Sequence, residues 1–417
     1  MSGAAAIAAS RARSDSPTGP LAGLRVVELA HIMAGPVCGL LLADMGADVI
    51  QVEKVPGGDD SRRMRPPAIG EESAAYLMMN RNKRGIAIDL KRDEGRSALR
   101  RLLCTADVVT ENYRRGTMER MGLGWETLRV DNPALIYCAI SGFGRTGPYA
   151  DRGGFDLIAQ AMSGLMSITG EGPGRSPVKC GAPVTDITAG ILAAFGVLAA
   201  YVHRQRTGEG QLVDTSLFEA GIVHTFWQSA ICLATGVAPG PMGSAHPLSA
   251  PYQAFPTADG WITVGAANQA NWLRLTEALD APALAADPRY ATNAARMTNR
   301  ALLEADLSAL FRRQPSAGWL ARLAAAGVPA APVLDVAAMH ADPQVLARDM
   351  IVETTHTTLG GVRTLGSPVK LSATPTAVGR GAPLLGEQTR EVLREIAYDD
   401  TEIDRLVASG IVLAAEA

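Results

Sequence analysis

Asp186 is the carboxylate whose setting most suggests chemistry. It follows the segment GAPVT at 181–185 and precedes an apolar run that begins at Ile187. That run predicts a helix, and a carboxylate at a helix N-terminus is stabilised as the anion by the helix dipole and by free backbone N–H groups. Local physics alone favours an N-cap. The alternative is a nucleophile, because an ionised and partly desolvated carboxylate can attack a thioester and form a covalent intermediate.

Three further segments combine basic, aromatic or glycine residues in a way that suits a phosphorylated ligand. They are NRNKR at 80–84, ENYRRG at 111–116 and the loop SGFGRTGP at 141–148. Guanidinium groups bind phosphate oxygens in pairs, and glycine lets a backbone approach a ligand closely. Solvated charges on ordinary surface loops explain the same segments about as well.

Composition and missing motifs narrow the classes of function. The net charge of −3 supplies no overall positive field for nucleic acid or an anionic membrane, and the five cysteines form no C-x-x-C pair. Reduced thiols in the cytoplasm fit this cysteine pattern. The sequence contains no P-loop, no G-x-S-x-G and no H-E-x-x-H, and its six histidines show no metal-ligand spacing. We therefore expect no metal site.

Alternating strand and helix patterns predict the elements that position these residues. An apolar strand at Leu24–Ala30 is followed by a turn at 31–36, a helix at Val37–Met45 and a strand at Asp48–Glu53. Strands that alternate with helices predict a parallel sheet covered on both faces, whose ligands bind at the carboxyl ends of the strands. Those ends are the turns that begin at His31, Lys54, Lys91, Asn112 and Ser141.

Two long segments bear on location. The uncharged run Ile187–Val202 is shorter than the ~20 residues that span a bilayer, so we interpret it as a buried helix. The first twenty residues are rich in Ser and Ala and lack an apolar secretory core, which favours a disordered extension. A mitochondrial transit peptide is the alternative. After about residue 240 the sequence becomes rich in Pro, Gly and Ser, which predicts a second, smaller domain.

In order along the chain, these segments resemble the family III CoA-transferases, the CaiB/BaiF group that includes formyl-CoA transferase. The resemblance runs from about Leu21 to the C-terminus. It is carried by LAGLRVVELAHIMAGP, GADVIQVEK, NRNKRGIAIDLK, ADVVTENYRRG with RMGLGWE, ISGFGRTGP, DITAG, TGEGQLVD and PLLGEQT. Each motif is short, and their shared order makes the match specific.

The resemblance implies an α/β fold with a large Rossmann-like domain built from both chain ends and a smaller α+β middle domain. The expected boundaries are a disordered extension at 1–20, the large domain at 21–236 and 341–417, and the small domain at 237–340. The family also implies an interlocked homodimer, in the cytoplasm or, in a eukaryote, in the mitochondrial matrix. Its partners are an acyl-CoA and a carboxylic acid, with no nucleic acid and no membrane.

The activity that the resemblance implies is transfer of CoA from an acyl-CoA, such as succinyl-CoA, to a carboxylic acid. Asp186 stands where the family has its nucleophile, which forms a mixed anhydride and then an aspartyl-CoA thioester. No ATP or metal is required, and CoA is a substrate rather than a permanently bound cofactor. The positions that correspond to the family's CoA contacts are Ile32, Met33, Ala34, Lys54, Ile88, Lys91, Asn112, Arg120 and Ser141.

Some positions depart from formyl-CoA transferase. Met33 replaces a glutamine, Lys54 replaces an arginine, and Ser141 replaces a lysine. The segment GSAHPLSAP at 243–251 stands in place of a glycine-repeat loop. This pattern resembles the branch that uses succinyl-CoA and other short dicarboxylates, including glutarate-type acceptors. There His246 either lines the acyl pocket or orders its loop.

Two alternatives to CoA transfer remain open at this point. The α-methylacyl-CoA racemases share the fold and carry a histidine followed by an aspartate where this chain has Phe155 and Asp156. Phe155 cannot transfer a proton, so we expect it to line the substrate pocket instead. The other alternative is a CoA-binding protein without turnover, which would tolerate the loss of Asp186.

Overall fold

The computed structural model describes residues 19–415. The extension predicted at 1–20 therefore lies, up to residue 18, outside the described residues. Contacts divide the chain into a larger unit, which extends to Ser163 and includes Gly181–His224 and Pro343 onward, and a smaller unit of Gly164–Cys180 and Thr225–Asp342. The segments 164–180 and 225–236, which we assigned to the large domain from sequence, group with the smaller unit. One reason is that Gly243 N–H donates to Gly170 O at 2.8 Å.

Strands and helices alternate through the first half of the chain. The strands are, in chain order, β1 Arg25–Glu28, β2 Asp48–Lys54, β3 Ala68–Ile69, β4 Glu72–Ser73, β5 Arg84–Ile88, β6 Val108–Glu111, β7 Ile136–Ser141, β8 Leu212–Ser216, β9 Tyr252–Pro256, β10 Trp261–Gly265, β11 Ala330–Pro332, β12 Ile351–His356, β13 Gly360–Leu365 and β14 Val412–Leu413. The α-helices are α1 Ala34–Asp44, α2 Ala74–Met79, α3 Asp93–Leu103, α4 Thr117–Arg120, α5 Trp125–Asp131, α6 Asp156–Met162, α7 Leu165–Ile168, α8 Val184–Thr207, α9 Leu217–Val223, α10 Phe226–Thr235, α11 Gln269–Ala278, α12 Pro282–Ala286, α13 Asn293–Thr298, α14 Arg300–Phe311, α15 Ser316–Ala325, α16 Val336–His340, α17 Pro343–Ala347, α18 Thr389–Glu395 and α19 Asp400–Ala408. The helix predicted from Val37 begins at Ala34, so the preceding turn is shorter than expected.

Within the described residues, a seven-stranded sheet forms the centre of the larger unit. Its strand order is β14-β5-β2-β1-β6-β7-β8, and every neighbouring pair is parallel except β14 with β5. This confirms the predicted α/β class with a largely parallel sheet. The chain leaves β1 toward β2 on one side and later returns to β6 on the other. The carboxyl ends of β1 and β6 therefore flank a topological switch point, where sheets of this kind bind ligands.

Alternating side chains of the strands pack into two separate cores. In β7, Tyr137 and Ala139 join one core, while Ile136, Cys138 and Ile140 join the other. Side chains alternate between the faces of a strand, so a strand that is apolar at every position must be covered on both faces. Helices α3, α18 and α19 contribute to the first core, and helices α1, α8 and α9 contribute to the second.

Helix α8 is the one described helix that is long and apolar enough to cross a membrane by length and composition. Its buried positions include Ala189, Ala193, Val197 and Ala200, which share one face, and the helix contacts α1, β7 and β8. Phe195, on another face, is 69% exposed. The helix predicted to be buried is therefore buried along one face.

The smaller unit has its own core around a three-stranded antiparallel sheet with the order β11-β10-β9. That core contains five buried aromatic side chains: Trp272, Tyr290, Phe255, Phe311 and Trp319. In the larger unit, β12 and β13 form a separate two-stranded antiparallel sheet.

The NRNKR segment forms buried ion pairs rather than a phosphate site or a solvated loop. Lys83 Nζ lies 2.8 Å from Glu28 Oε1, and neither side chain is exposed. It also donates to the Pro36 carbonyl at 3.0 Å, at the first turn of α1. Arg81 binds Asp44, while Arg84 binds Asp48 and Glu395. Both interpretations of this segment from sequence were wrong, because each cation has an acidic partner that is distant in the sequence.

We expect Lys83→Met to lower the free energy of unfolding by about 3–5 kcal/mol, because it leaves Glu28 charged and unpaired in the core. Urea unfolding followed by circular dichroism measures this loss. Replacing both members of the pair with apolar residues should recover part of it. Arg129→Met, which breaks the exposed Arg129–Glu126 pair, is the control and should leave stability nearly unchanged. A loss of unfolding free energy no larger than that of Arg129→Met would contradict the assignment of Lys83 and Glu28 as a buried ion pair that stabilises the fold.

Candidate active site

A cavity of about 260 Å³ lies at the carboxyl ends of β1, β6 and β7, beside the switch point. Each of these strands continues into a turn that faces the cavity. The lining residues come from four segments and two isolated positions: His31–Ala34, Asn112–Arg115, Ile140–Gly142, Ala150–Phe155, Asp186 and Leu217. All of them belong to the larger unit. Among the predicted site residues, the cavity brings together Ile32, Met33, Ala34, Asn112, Ser141, Phe155 and Asp186.

The turn after β1 holds a strained residue. Ile32 has φ of +66°, in the left-handed region that a β-branched side chain rarely adopts. Its backbone N–H donates to both carboxylate oxygens of Asp59, at 3.1 and 3.3 Å. Asn112 accepts from His31 N–H at 2.9 Å and donates to His31 O at 2.8 Å. These side-chain contacts fix the turn in a conformation that its own sequence disfavours.

Asp59 is a fully buried anion behind this turn. Burial alone would raise the pKa of its carboxyl group, but the nearby His31 ring and the hydrogen bonds from Ser61 outweigh burial and lower it to about 2. His31 Nδ1 lies 3.7 Å from Asp59 Oδ2, and Nε2 lies 3.0 Å from the Tyr113 hydroxyl. Burial raises the pKa of Tyr113, so its hydroxyl keeps its proton and can donate to Nε2. Sequence reasoning missed Asp59, because its partner Ile32 lies far away in the sequence.

Asp186 lies in the first turn of α8 and reaches the cavity. The N-cap of this helix is Pro183, so Asp186 is not the cap that local physics favoured. Burial, followed by the nearby Asp156 carboxylate, raises the pKa of Asp186 from 3.8 to about 6. Within residues 19–415, no basic side chain lies within ion-pair distance of it. The site therefore holds a partly desolvated carboxylate without a counter-ion.

The close approach of α8 to α1 places this carboxylate beside the strained turn. A Cβ atom added to Gly190 would lie 2.5 Å from Ala34 O and 2.8 Å from Val37 Cβ, so only glycine allows the two helices to approach this closely. Asp186 precedes Gly190 by one helical turn and lies on the same face. This packing brings the start of α8 to the start of α1.

Asp156, which the sequence singled out only as the match to a racemase aspartate, ties α6 to the start of α8. Its Oδ1 accepts from Thr185 N–H at 3.0 Å and from the Thr185 hydroxyl at 2.7 Å. Gln160 donates to its other oxygen at 2.7 Å. The Thr185 N–H is one of the free donors of the first turn, so Asp156 satisfies it from outside the helix. Its charge also disfavours ionisation of Asp186.

The glycine-rich loop after β7 crosses the chain before α6 at very short range. A Cβ atom on Gly142 would lie 2.7 Å from Gly154 Cα, and one on Gly154 would lie 2.5 Å from Gly142 Cα. Two glycines therefore let the backbones touch. The Ser141 hydroxyl accepts from Gly144 N–H at 2.8 Å, which orders the same loop. This crossing sets the path of the cavity segment that contains Phe155, whose side chain is 73% exposed.

The other predicted site residues lie outside this cavity. Lys54 is exposed and pairs with Asp60 at 2.6 Å. Lys91 and Arg120 are exposed on the loop after β5 and at the end of α4. Ile88 is fully buried in the core, so only its backbone could reach a ligand. His246 belongs to the smaller unit, where its ring stacks on Tyr252 with centroids 5.2 Å apart.

Comparisons with known proteins identify the family. Residues 21–389 match the CoA-transferase family III model. The succinate–glutarate CoA-transferase of Agrobacterium fabrum is 45% identical over 90% of this chain and 96% of its own length. The human succinyl-CoA:glutarate CoA-transferase is 37% identical over 94% of this chain and 90% of its own length. A crystal structure of a CaiB/BaiF family protein from Brucella suis, 42% identical, matches with a TM-score of 0.81 and covers 91% of this chain and 100% of that one.

The chain belongs to CoA-transferase family III, which confirms the resemblance carried by its motifs. It is therefore an enzyme that transfers CoA between an acyl-CoA and a carboxylic acid.

The raised pKa of Asp186 makes its ionisation costly to the folded state. Because the pKa in the folded protein lies above the unfolded value, the folded protein binds more protons and loses stability as pH rises from 3.8 to about 6. We expect Asp186→Asn to be more stable than the unaltered protein at pH ~8, by roughly 3 kcal/mol. The difference should vanish below pH ~4, where the unaltered carboxyl is protonated.

Urea unfolding at several pH values tests this expectation. Asp151→Asn is the matched control, since Asp151 lines the same cavity but its side chain is 87% exposed, and it should leave stability nearly unchanged. Equal stability of Asp186→Asn and the unaltered protein at the high pH would count against a desolvated carboxylate.

Proposed function

We propose that this enzyme transfers CoA from succinyl-CoA to a short dicarboxylic acid such as glutarate, with Asp186 as the nucleophile. The names of the Agrobacterium fabrum and human relatives support this choice of substrates. The observation that carries the nucleophile assignment is a carboxylate without a counter-ion in a cavity at the switch point of the sheet.

The proposed reaction begins when an Asp186 oxygen attacks the thioester carbonyl of succinyl-CoA. The C–S bond breaks, which gives a succinyl-aspartyl anhydride and CoA thiolate. The thiolate then attacks the Asp186 carbonyl, so that succinate leaves and an aspartyl-CoA thioester remains. The acceptor carboxylate attacks this thioester, and the same two steps run in reverse. Each step exchanges one acyl bond for another, so no external energy source is consumed.

The electrostatics of Asp186 suit this role. A carboxylate that has lost much of its hydration and has no cation beside it is more nucleophilic than a solvated one. With its pKa at about 6, Asp186 is largely ionised at neutral pH and ready to attack. Transfer should weaken as pH falls through that value, because protonation removes the nucleophile.

The remaining predicted residues have proposed roles in binding. Ile32, Met33 and Ala34 contact the thioester end of CoA, with Asn112 and Ser141 on the adjacent turns. The exposed cations Lys54, Lys91 and Arg120 bind CoA phosphates, and Ile88 contributes only its backbone. Phe155 borders the acyl group, and His246 lines the acyl pocket or orders its loop.

We also propose that the enzyme is an interlocked homodimer in which each large domain is built from both chain ends. The exposed apolar side chains of Phe195 on α8 and of Trp227 and Leu233 on α10 support this, since they would be covered in a dimer. Light scattering should give twice the chain mass of 43.6 kDa, and a monomeric mass would contradict the proposal.

The free cysteines support a reducing compartment, the cytoplasm or the mitochondrial matrix of a eukaryote.

Asp186→Ala should lower the rate of CoA transfer from succinyl-CoA to glutarate by on the order of 10³-fold or more, because it removes the nucleophile that forms the covalent intermediate. Product formation is followed by liquid chromatography. Mass spectrometry of the unaltered enzyme with succinyl-CoA alone should detect CoA attached to the peptide that contains Asp186.

Asp151→Asn serves as the matched control and should retain both the activity and the adduct. Near-full activity of Asp186→Ala would contradict the mechanism. The racemase alternative predicts no adduct and exchange of solvent deuterium into the α-position of a 2-methylacyl-CoA.

A further inference from the structure

Three arginines line the cavity that contains Asp186. Arg114 and Arg115 follow β6, and Arg152 precedes α6. Arg115 is the one with an acidic neighbour, since its Nη1 lies 3.4 Å from Asp151 Oδ1. In the part of the chain that the structure describes, neither Arg114 nor Arg152 has an acidic side chain within ion-pair distance.

The two unpaired guanidinium groups are supported by other contacts. Arg152 Cζ lies 4.0 Å from the centroid of the Tyr149 ring, so the aromatic face covers one face of the guanidinium and leaves its N–H edges available. Arg114 lies against Gly153, where an added Cβ would be 3.6 Å from Nη2. That distance is ordinary van der Waals contact, so the Arg114 guanidinium packs beside the segment that contains Arg152.

The charges of the cavity suggest what these groups bind. Its acidic lining residues are Asp151, which neighbours Arg115, and Asp186. A dicarboxylic acid brings two carboxylates, of which one reacts at Asp186 while the other keeps its charge throughout. An unpaired carboxylate in a partly desolvated cavity is costly, and a guanidinium group satisfies it with two parallel hydrogen bonds.

We propose that Arg114 and Arg152 bind the carboxylate of a dicarboxylic substrate that does not react, and thereby select dicarboxylic over monocarboxylic acids. The proposal rests on the function proposed above, and it assigns the specificity of that site. Succinyl-CoA and the acceptor react at the same aspartate in successive half-reactions. One pair of arginines therefore serves both substrates.

The test compares glutarate with pentanoate, which has the same chain length but a methyl group in place of the second carboxylate. Each acid is assayed separately at low concentration with saturating succinyl-CoA as donor, and mass spectrometry quantifies the glutaryl-CoA or pentanoyl-CoA that forms. In a reaction through a covalent intermediate, kcat/KM for an acceptor reports the second half-reaction alone. The donor's own carboxylate therefore does not affect the comparison.

Arg114→Gln and Arg152→Gln should each lower kcat/KM for glutarate by roughly 10-fold, because each removes charge-assisted hydrogen bonds to the second carboxylate. The value for pentanoate should change by less than about threefold, since that acid has no group for the arginines to bind. Arg152→Lys, which keeps the charge without the fork geometry, should recover part of the glutarate rate. Arg115→Gln is the matched control and should leave the ratio of the two kcat/KM values unchanged.

An equal loss of kcat/KM for both acids, including a complete loss, would overturn the proposal. The arginines would then bind the CoA portion, which both reactions share, or stabilise the fold. Retention of the glutarate rate would overturn it as well. Thermal unfolding of each variant identifies a loss caused by misfolding. Failure of the proposed function gives a different result from failure of this proposal. In that case the unaltered enzyme itself would transfer no CoA from succinyl-CoA to glutarate.

Discussion

A carboxylate without a counter-ion at the carboxyl edge of a parallel sheet is the constraint on which this site depends. In the proposed mechanism Asp186 reacts as a partly desolvated carboxylate, and its ionisation then costs the folded state free energy. Asp156, which lies outside α8, binds Thr185 and so holds the first turn of the helix in place despite this cost. The same contact places the negative charge of Asp156 near Asp186. Asp156 therefore both holds the start of α8 and disfavours the ionisation of Asp186.

Buried charge on the other side of the turn keeps the site in place. Asp59 is ionised, fully buried and bonded to the backbone of Ile32, whose positive φ would otherwise relax. Deeper in the core, Lys83 links Glu28 at the end of β1 to the first turn of α1. These fixed ionic contacts and the close packing at Gly190 determine where Met33 and Ala34 lie relative to Asp186.

The parts of this structure that follow local pattern could be predicted from sequence, and the parts that depend on distant contacts could not. The parallel sheet and its ligand edge follow from alternating apolar strands and helices, and the motifs in order identified the family. The role of Lys83 could not be predicted, because its partner Glu28 is 55 positions away. Asp156 acts through Thr185, 29 positions away. For the same reason, Arg114 and Arg152 could be chosen only after the cavity had brought them together.

The path of oxygen atoms tests the covalent role of Asp186 most directly. When the enzyme turns over succinyl-CoA and glutarate labelled with heavy oxygen in ordinary water, each passage through the aspartyl intermediates leaves one glutarate oxygen in the Asp186 carboxylate. Mass spectrometry of the digested enzyme should therefore find heavy oxygen in the peptide that contains Asp186, and in no other peptide. An unlabelled Asp186 peptide after many turnovers would contradict the mechanism, because CoA would then have moved between the acids without a bond to the protein.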